Sequence, residues 1–303
     1  MHEQSELRQF ASRTSLGVAV ILVVVKLTAW VMTGSVALLA SAIDALVDAG
    51  ASLATYFGVR YAEQPPDQDH RFGHGKGEAI AGFTQSTFLA GAAVVLAFQS
   101  LERLFFPHYT ESLDIGAWII AGSLVAATAL VAMQTWVVRK TGSTAIAADR
   151  AHYMTDVAVN VGVLVALGVT HFTGWERADP LFAFVISGYM LWNAHNIAKE
   201  ALTQLLDREL PTDDRQQIKN AVRSCAGVRD IHDLRTRYAG DRIFVEFHLE
   251  VDEQLTVKQG HAIGDLAEAA VVNLLPGVVE VTAHLEPFGI NDDRLDDRVT
   301  ETA

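Results

Sequence analysis

Hydrophobic and polar positions divide the chain in two. Through the first two thirds, apolar residues gather in blocks of about 20, the length a helix needs to cross a bilayer core of ~30 Å. Six such blocks are read, over residues 16–31, 36–61, 80–105, 115–138, 143–170 and 180–202. The second and fifth are the least apolar, and the first carries Lys26. In the last third the pattern changes to strict alternation and short helical periods, as in a soluble domain. The expected fold class is therefore an all-α six-helix transmembrane bundle followed by a small α+β domain. The expected boundaries are 1–208 for the transmembrane transport domain, 209–290 for the soluble domain, and a disordered tail over 291–303.

Within the soluble part, PTDDRQQIKNAVRSCAG predicts a helix with an acidic start that ends at Gly227. VRDIHDLRTRYAG and DRIFVEFHLEVD predict paired strands around a Gly240-Asp241 turn. In the second strand Ile243, Val245, Phe247, Leu249 and Val251 share one face, and Phe244, Glu246, His248 and Glu250 the other. A helix over 256–274 stops at Pro276-Gly277. In the last strand Val279, Val281, Ala283 and Leu285 alternate with Glu280, Thr282, His284 and Glu286. The order is αββαβ around a three-stranded sheet.

Charge adds orientation. Arg8 and Arg13, then Arg60, Arg71 and Lys76, then Arg139, Lys140 and Arg150, then Lys199 and Arg208 fall on one side of the six blocks. The other side offers little beyond Arg103 and Arg177. Positive charge marks the cytoplasmic side, so both termini and the soluble domain are expected there. The net charge of −13 argues against nucleic acid, which requires clustered Lys and Arg. The acidic excess lies mainly in the last third, where it suits either a cation-binding domain or an ordinary solvated surface. A single cysteine, Cys225, excludes an intrachain disulfide and a thiolate metal cluster. The polar start, MHEQSELRQFASR, has no apolar core of a signal peptide.

The chemistry lies in the two least apolar blocks. SAIDALVDAG sets Asp44 and Asp48 four residues apart, and DRAHYMTDVAVN does the same for His152 and Asp156. That spacing stacks each pair on one helix face, one turn apart. Two such edges facing each other give four hard or borderline ligands, which suits tetrahedral Zn²⁺. Asp44 lies roughly 15 Å into its helix, near mid-bilayer. Three unpaired intramembrane aspartates would cost roughly 8–10 kcal/mol. Lys26 could pair with one acid, not all three. A proton relay alone is the nearest alternative.

Two further clusters are weaker from spacing alone. PPDQDHRFGHGKGE brings Asp67, Asp69, His70 and His74 into one Pro- and Gly-bounded loop. His70 and His74 share a face there only if the segment coils locally, and a solvated polar loop is the plainer account. In the soluble domain His232, His248, His261, His284 and Glu286 occupy polar positions, where any one histidine alone is ordinary surface.

The strings GSVALLASAIDALVDAGAS, RFGHGKGEA, ADRAHYMTDV and HDLRTR give the chain a clear resemblance to the cation diffusion facilitator family, over about residues 12–287. The resemblance implies a six-helix membrane domain, a metallochaperone-like soluble domain, a homodimer in the bacterial inner membrane, and exchange of metal against protons. It implies that Asp44, Asp48, His152 and Asp156 form the transport site, and that Asp67, His70 and His74 bind a second metal. It implies that His232, His248, His261, His284 and Glu286 hold a cytoplasmic metal pair, with one carboxylate bridging. Relatives carry aspartate where this chain has Glu286, which puts the spacing of that pair in question. It also implies a charge interlock between Lys76 and Asp207 where the two domains meet. Zn²⁺ is then both cargo and regulatory ligand, with Cd²⁺ and Fe²⁺ as other candidates, and no organic cofactor is expected. A fourth aspartate in place of the histidine leans relatives toward iron or manganese, so an Mn²⁺ or Fe²⁺ exporter stays open. So does a non-transporting metal sensor. A membrane metalloenzyme fits less well, because carboxylate-bridged redox bundles use Glu-x-x-His pairs.

Overall fold

The computed structural model describes residues 2–33, 36–105, 114–173, 175, 177–289 and 294–300. It divides into two compact units, Met1–Leu202 and Thr203–Ala303. The division falls six residues before the expected 208/209 boundary.

The first unit contains six long helices: α1 (His2–Thr33), α2 (Val36–Ala62), α3 (Gly77–Phe105), α4 (Asp114–Thr141), α5 (Thr144–Thr173) and α6 (Ala178–Leu205). The shortest, α2, has 27 residues, about 40 Å at 1.5 Å per residue, enough to cross a bilayer core. Among the described residues, Glu3–Met32, Ser41–Ala62, Gly77–Phe105 and Ala121–Thr141 are long and apolar enough to span a membrane. Large apolar side chains such as Ile21, Phe98 and Val185 are exposed on the outer faces, where lipid can cover them. Inside, small residues let backbones approach. A Cβ at Gly58 on α2 would collide with Ala81 Cβ on α3. Leu89 and Ala93 of α3 pack with Met190 and Ala194 of α6. The chain is an integral membrane protein.

The second unit runs α7 (Thr212–Arg223), β1 (Val228–Ala239), β2 (Arg242–Val251), α8 (Val257–Leu274), β3 (Val278–Pro287) and α9 (Leu295–Thr300). The sheet order is β1-β2-β3, with β1 antiparallel and β3 parallel to β2. Helix α8 supplies the crossover that a parallel pair requires. The αββαβ order and its hairpin turn match the sequence pattern. Ile243, Val245, Phe247, Leu249 and Val251 form the core with Ile218, Val222, Ala267 and Val271, so α7 and α8 cover that sheet face. Thr256 caps α8 in a reciprocal capping box with Gln259. Gly277 takes φ 94°, and a Cβ there would sit 2.8 Å from Asp241 O, so the α8–β3 turn requires glycine.

The opposite face is less exposed than alternation predicts. Phe244 is buried, with the Arg237 guanidinium 5.3 Å from its ring centroid, and Glu250 is buried too. Part of the cover comes from the tail. The expectation of disorder over 291–303 is corrected at 294–300, which is ordered on β1; 290–293 and 301–303 lie outside the described residues. A register shift between His232 and Arg235 puts Asp233 at φ 49°. Its carboxylate then accepts the backbone N–H groups of Leu295 and Asp296, each at 2.9 Å, and Arg294 reaches Glu250 at 2.5 Å.

Candidate metal centres

The i,i+4 stacking on α2 and α5 works as the spacing requires, and the two helices meet. His152 Nε2 lies 2.9 Å from Asp48 Oδ1 and 3.9 Å from Asp156 Oδ2. Asp48, His152 and Asp156 each offer one ligand atom, all within 4.8 Å of one another. His152 is buried, and its Nδ1 has no hydrogen-bond partner among the described residues. Asp44 is not in this tight group. It lines the cavity of about 190 Å³ onto which Asp48 and Asp156 open, together with Lys26, Tyr153 and Asn160. So three of the four expected ligands converge and the fourth stands one helical turn away, within the same cavity. Lys26, weighed as a pairing partner from the sequence, shares that space.

The loop cluster forms because the chain turns on itself after Pro65 and Pro66. Asp67 Oδ1 accepts the backbone N–H groups of Asp69 at 2.9 Å and His70 at 2.6 Å, and Gly73 at φ 80° closes the turn on His70 O. That local coil carries His74 back to Asp67, 3.3 Å from its Oδ2, while His70 Nδ1 lies 3.3 Å from Oδ1. The two imidazoles lie tilted at 44° to each other, with centroids 4.5 Å apart. The His70 backbone N–H, helped by that of Asp69, holds the Asp67 carboxyl below its ordinary range. Asp69 supplies a backbone N–H rather than a ligand atom.

In the second unit His232, His248 and Glu286 also bring ligand atoms within 4.8 Å of one another. They lie on the sheet face opposite α8, on neighbouring strands in register: His232 opposite His248, and His248 opposite His284. Glu286 Oε2 is 3.2 Å from His232 Nε2, and its Oε1 is 2.8 Å from His248 Nδ1 and 3.5 Å from His284 Nε2. The longer carboxylate thus reaches all three histidines. At His248 the close approach lacks hydrogen-bond geometry, the arrangement of lone pairs that converge on a shared cation. The donor set fits a metal. His261 is the exception among the expected residues. It sits exposed on α8, across the sheet from the cluster, with Asp265 at 3.7 Å. Glu250, not singled out from the sequence, lies 3.2 Å from His232 Nδ1 and links the cluster to Arg294. Nothing in the spacing marks it, because Arg294 is 44 residues away.

Lys76 belongs to the first unit and Asp207 to the second. Asp207 takes φ 54° and lies 3.9 Å from Arg237.

One buried acid escaped the sequence reading. Asp149 of α5, one turn before His152, is fully buried. Its carboxylate accepts from Ser15 Oγ at 2.5 Å, Gln134 Nε2 at 2.6 Å, Ser52 Oγ at 3.4 Å and Gln85 Nε2 at 3.4 Å. Ser52 is also 3.0 Å from the Tyr153 hydroxyl. The amide oxygens of Gln85 and Gln134 have no hydrogen-bond partner among the described residues. The string ADRAHYMTD shows the acid but not its partners, which come from α1, α2, α3 and α4.

Both units of the chain are similar to known proteins. Residues 12–206 match the cation efflux transmembrane domain, and residues 210–288 match the cytoplasmic domain of cation efflux proteins. The cation-efflux pump FieF of Yersinia enterocolitica is 41% identical over 288 residues, covering 95% of each chain. FieF of Klebsiella pneumoniae is 42% identical over 280 residues, 92% of this chain and 93% of that protein. A solved variant of MamM-CTD is 29% identical and covers 25% of this chain and 94% of its own, with a TM-score of 0.24. Matched along nearly its whole length, first by one domain and then by the other, the chain belongs to the cation efflux family.

Proposed function

We propose that the protein exports divalent metal cations from the cytoplasm, Zn²⁺ foremost, in exchange for protons. The observation that carries the reading is the convergence of Asp48, His152 and Asp156, with Asp44 in the adjoining cavity, deep between helices of a membrane unit. The relatives' name, cation-efflux pump, supports the direction of transport. One imidazole and carboxylates make a borderline donor set suited to Zn²⁺ or Cd²⁺. Each ligand offers the metal the same lone pair that a proton would take, so metal and protons exclude each other. Loading happens while the site faces the cytoplasm, and protons displace the metal once it faces the other side.

The same reading makes Asp67, His70 and His74 a second cytoplasmic metal site, and the histidine cluster with Glu286 a regulatory one. It puts both termini in the cytoplasm of a bacterial inner-membrane protein, working as a homodimer in which Lys76 and Asp207 interlock. The test is zinc uptake into proteoliposomes of inverted orientation. Uptake driven by an imposed proton gradient and lost in Asp48→Ala is expected. Uptake indifferent to collapse of the gradient would refute the exchange, and uptake intact in Asp48→Ala would refute the site.

A further inference from the structure

We infer that Asp149 is a positioning residue for transport: its carboxylate is a releasable latch that gathers five helices and seals the cytoplasmic side of the transport site. The inference rests on the export reading above, which supplies the orientation.

The geometry is asymmetric about His152. Toward one end of the helices lies the cavity lined by Lys26, Asp44, Ser123 and Asn160. Toward the other end there is a filled polar layer. Asp149 precedes His152 by one turn, and Ser52 follows Asp48 by one turn, so both step away from the site in the same direction. At that level Ser15 of α1, Ser52 of α2, Gln85 of α3 and Gln134 of α4 all donate to the single carboxylate of α5. All are buried. About two turns further out lies a second polar layer: Arg8 of α1 is 3.4 Å from both Glu63, just past α2, and Glu78 of α3, and Ser143 Oγ, just before α5, donates to Glu78 at 2.6 Å. By the charge reading this end is the cytoplasmic one.

An apolar layer would seal the path as well, and at less cost than burying a carboxylate. A carboxylate held only by neutral donors does something different. Each of its hydrogen bonds can be exchanged for one to water when the helices part, at small net cost. A packed apolar layer has no such replacement. The seal is therefore strong when assembled and cheap to open, which alternating access requires. The carboxylate is essential to the count, since two oxygens accept from four donors on four helices. Asparagine has one acceptor oxygen and cannot.

Cysteine accessibility tests this in the full chain. In a Cys225→Ser background, Ser123→Cys places a thiol in the cavity. A membrane-impermeant maleimide added outside is expected to label it. Asp149→Asn, and separately Gln134→Leu, which leaves the acid in place, are expected to slow that labelling several-fold by releasing the cytoplasmic seal. Both should also lower KM for cytoplasmic zinc while lowering kcat. A residue that merely held the fold together would lower the melting temperature and leave the labelling rate of the folded fraction unchanged. Labelling from outside with a rate untouched by either variant would overturn the latch and leave the orientation standing. Labelling from the cytoplasmic face alone would overturn the orientation, and with it the assignment of the seal to that side.

Discussion

At His152 one imidazole serves two ends. Among Asp48, His152 and Asp156 it is the one that offers nitrogen, and it lies within reach of both carboxylates that converge there. Replacing it with aspartate would make the donor set all-oxygen, which suits harder cations. His152→Asp is expected to keep transport but shift preference toward Mn²⁺ and Fe²⁺, measured as the ratio of competing uptakes in proteoliposomes. An unchanged ratio would count against His152 as the selector. Glu286 offers the parallel case outside the membrane. Its two oxygens reach His232, His248 and His284, so it organises the cluster more than any one histidine does. Glu286→Gln removes the charge without changing size. Zinc affinity at that site should fall about tenfold or more, the scale seen when a group supporting a metal is lost. Calorimetric titration of the full chain, with the membrane ligands replaced, would read it. The longer carboxylate lies within 3.5 Å of a ring nitrogen of each of the three histidines.

At the scale of elements, what could be read depended on whether the cause was local. The αββαβ order was legible because alternation of period two and a Gly-Asp turn each act within a few residues. The loop site was not, because its three ligands meet only through an Asx-type turn at Asp67 and a left-handed Gly73. The bulge after His232 was invisible for a similar reason. Its purpose lies in the tail, where Asp233 takes the first N–H groups of α9. Partial burial pushes the Asp233 carboxyl up, but the N–H groups of Leu295 and Asp296, with His232 and His248 nearby, outweigh it and hold it low. Its contribution is therefore present above the usual carboxylate range near ~4 and is lost as pH falls through its lowered value. Asp233→Ala should release 294–300 from β1 at neutral pH, making the tail the first site cut in limited proteolysis, while α8 and the sheet stay protected. Equal resistance of the tail in both proteins would argue that Arg294 and Glu250 alone hold it.

At the scale of the molecule, six apolar blocks became six helices with no change of order, since length and apolarity are summed properties of a segment. The Asp149 hub could not be summed in this way. Its donors sit on four helices separated by up to 134 residues, and only the packed bundle relates them. The interlock proposed between Lys76 and Asp207 would be of the same long-range kind. Lys76→Asp alone and Asp207→Lys alone should each weaken the dimer and slow zinc uptake. The double exchange restores opposite charges at the same two places and should recover much of both. That recovery is the coupling energy of a double-mutant cycle, and two residues acting independently would instead give losses that add. Dimer content by light scattering and uptake in proteoliposomes are to be read on the same four proteins. If losses add in both measurements, the two charges do not meet, and the link between the units has to be sought elsewhere.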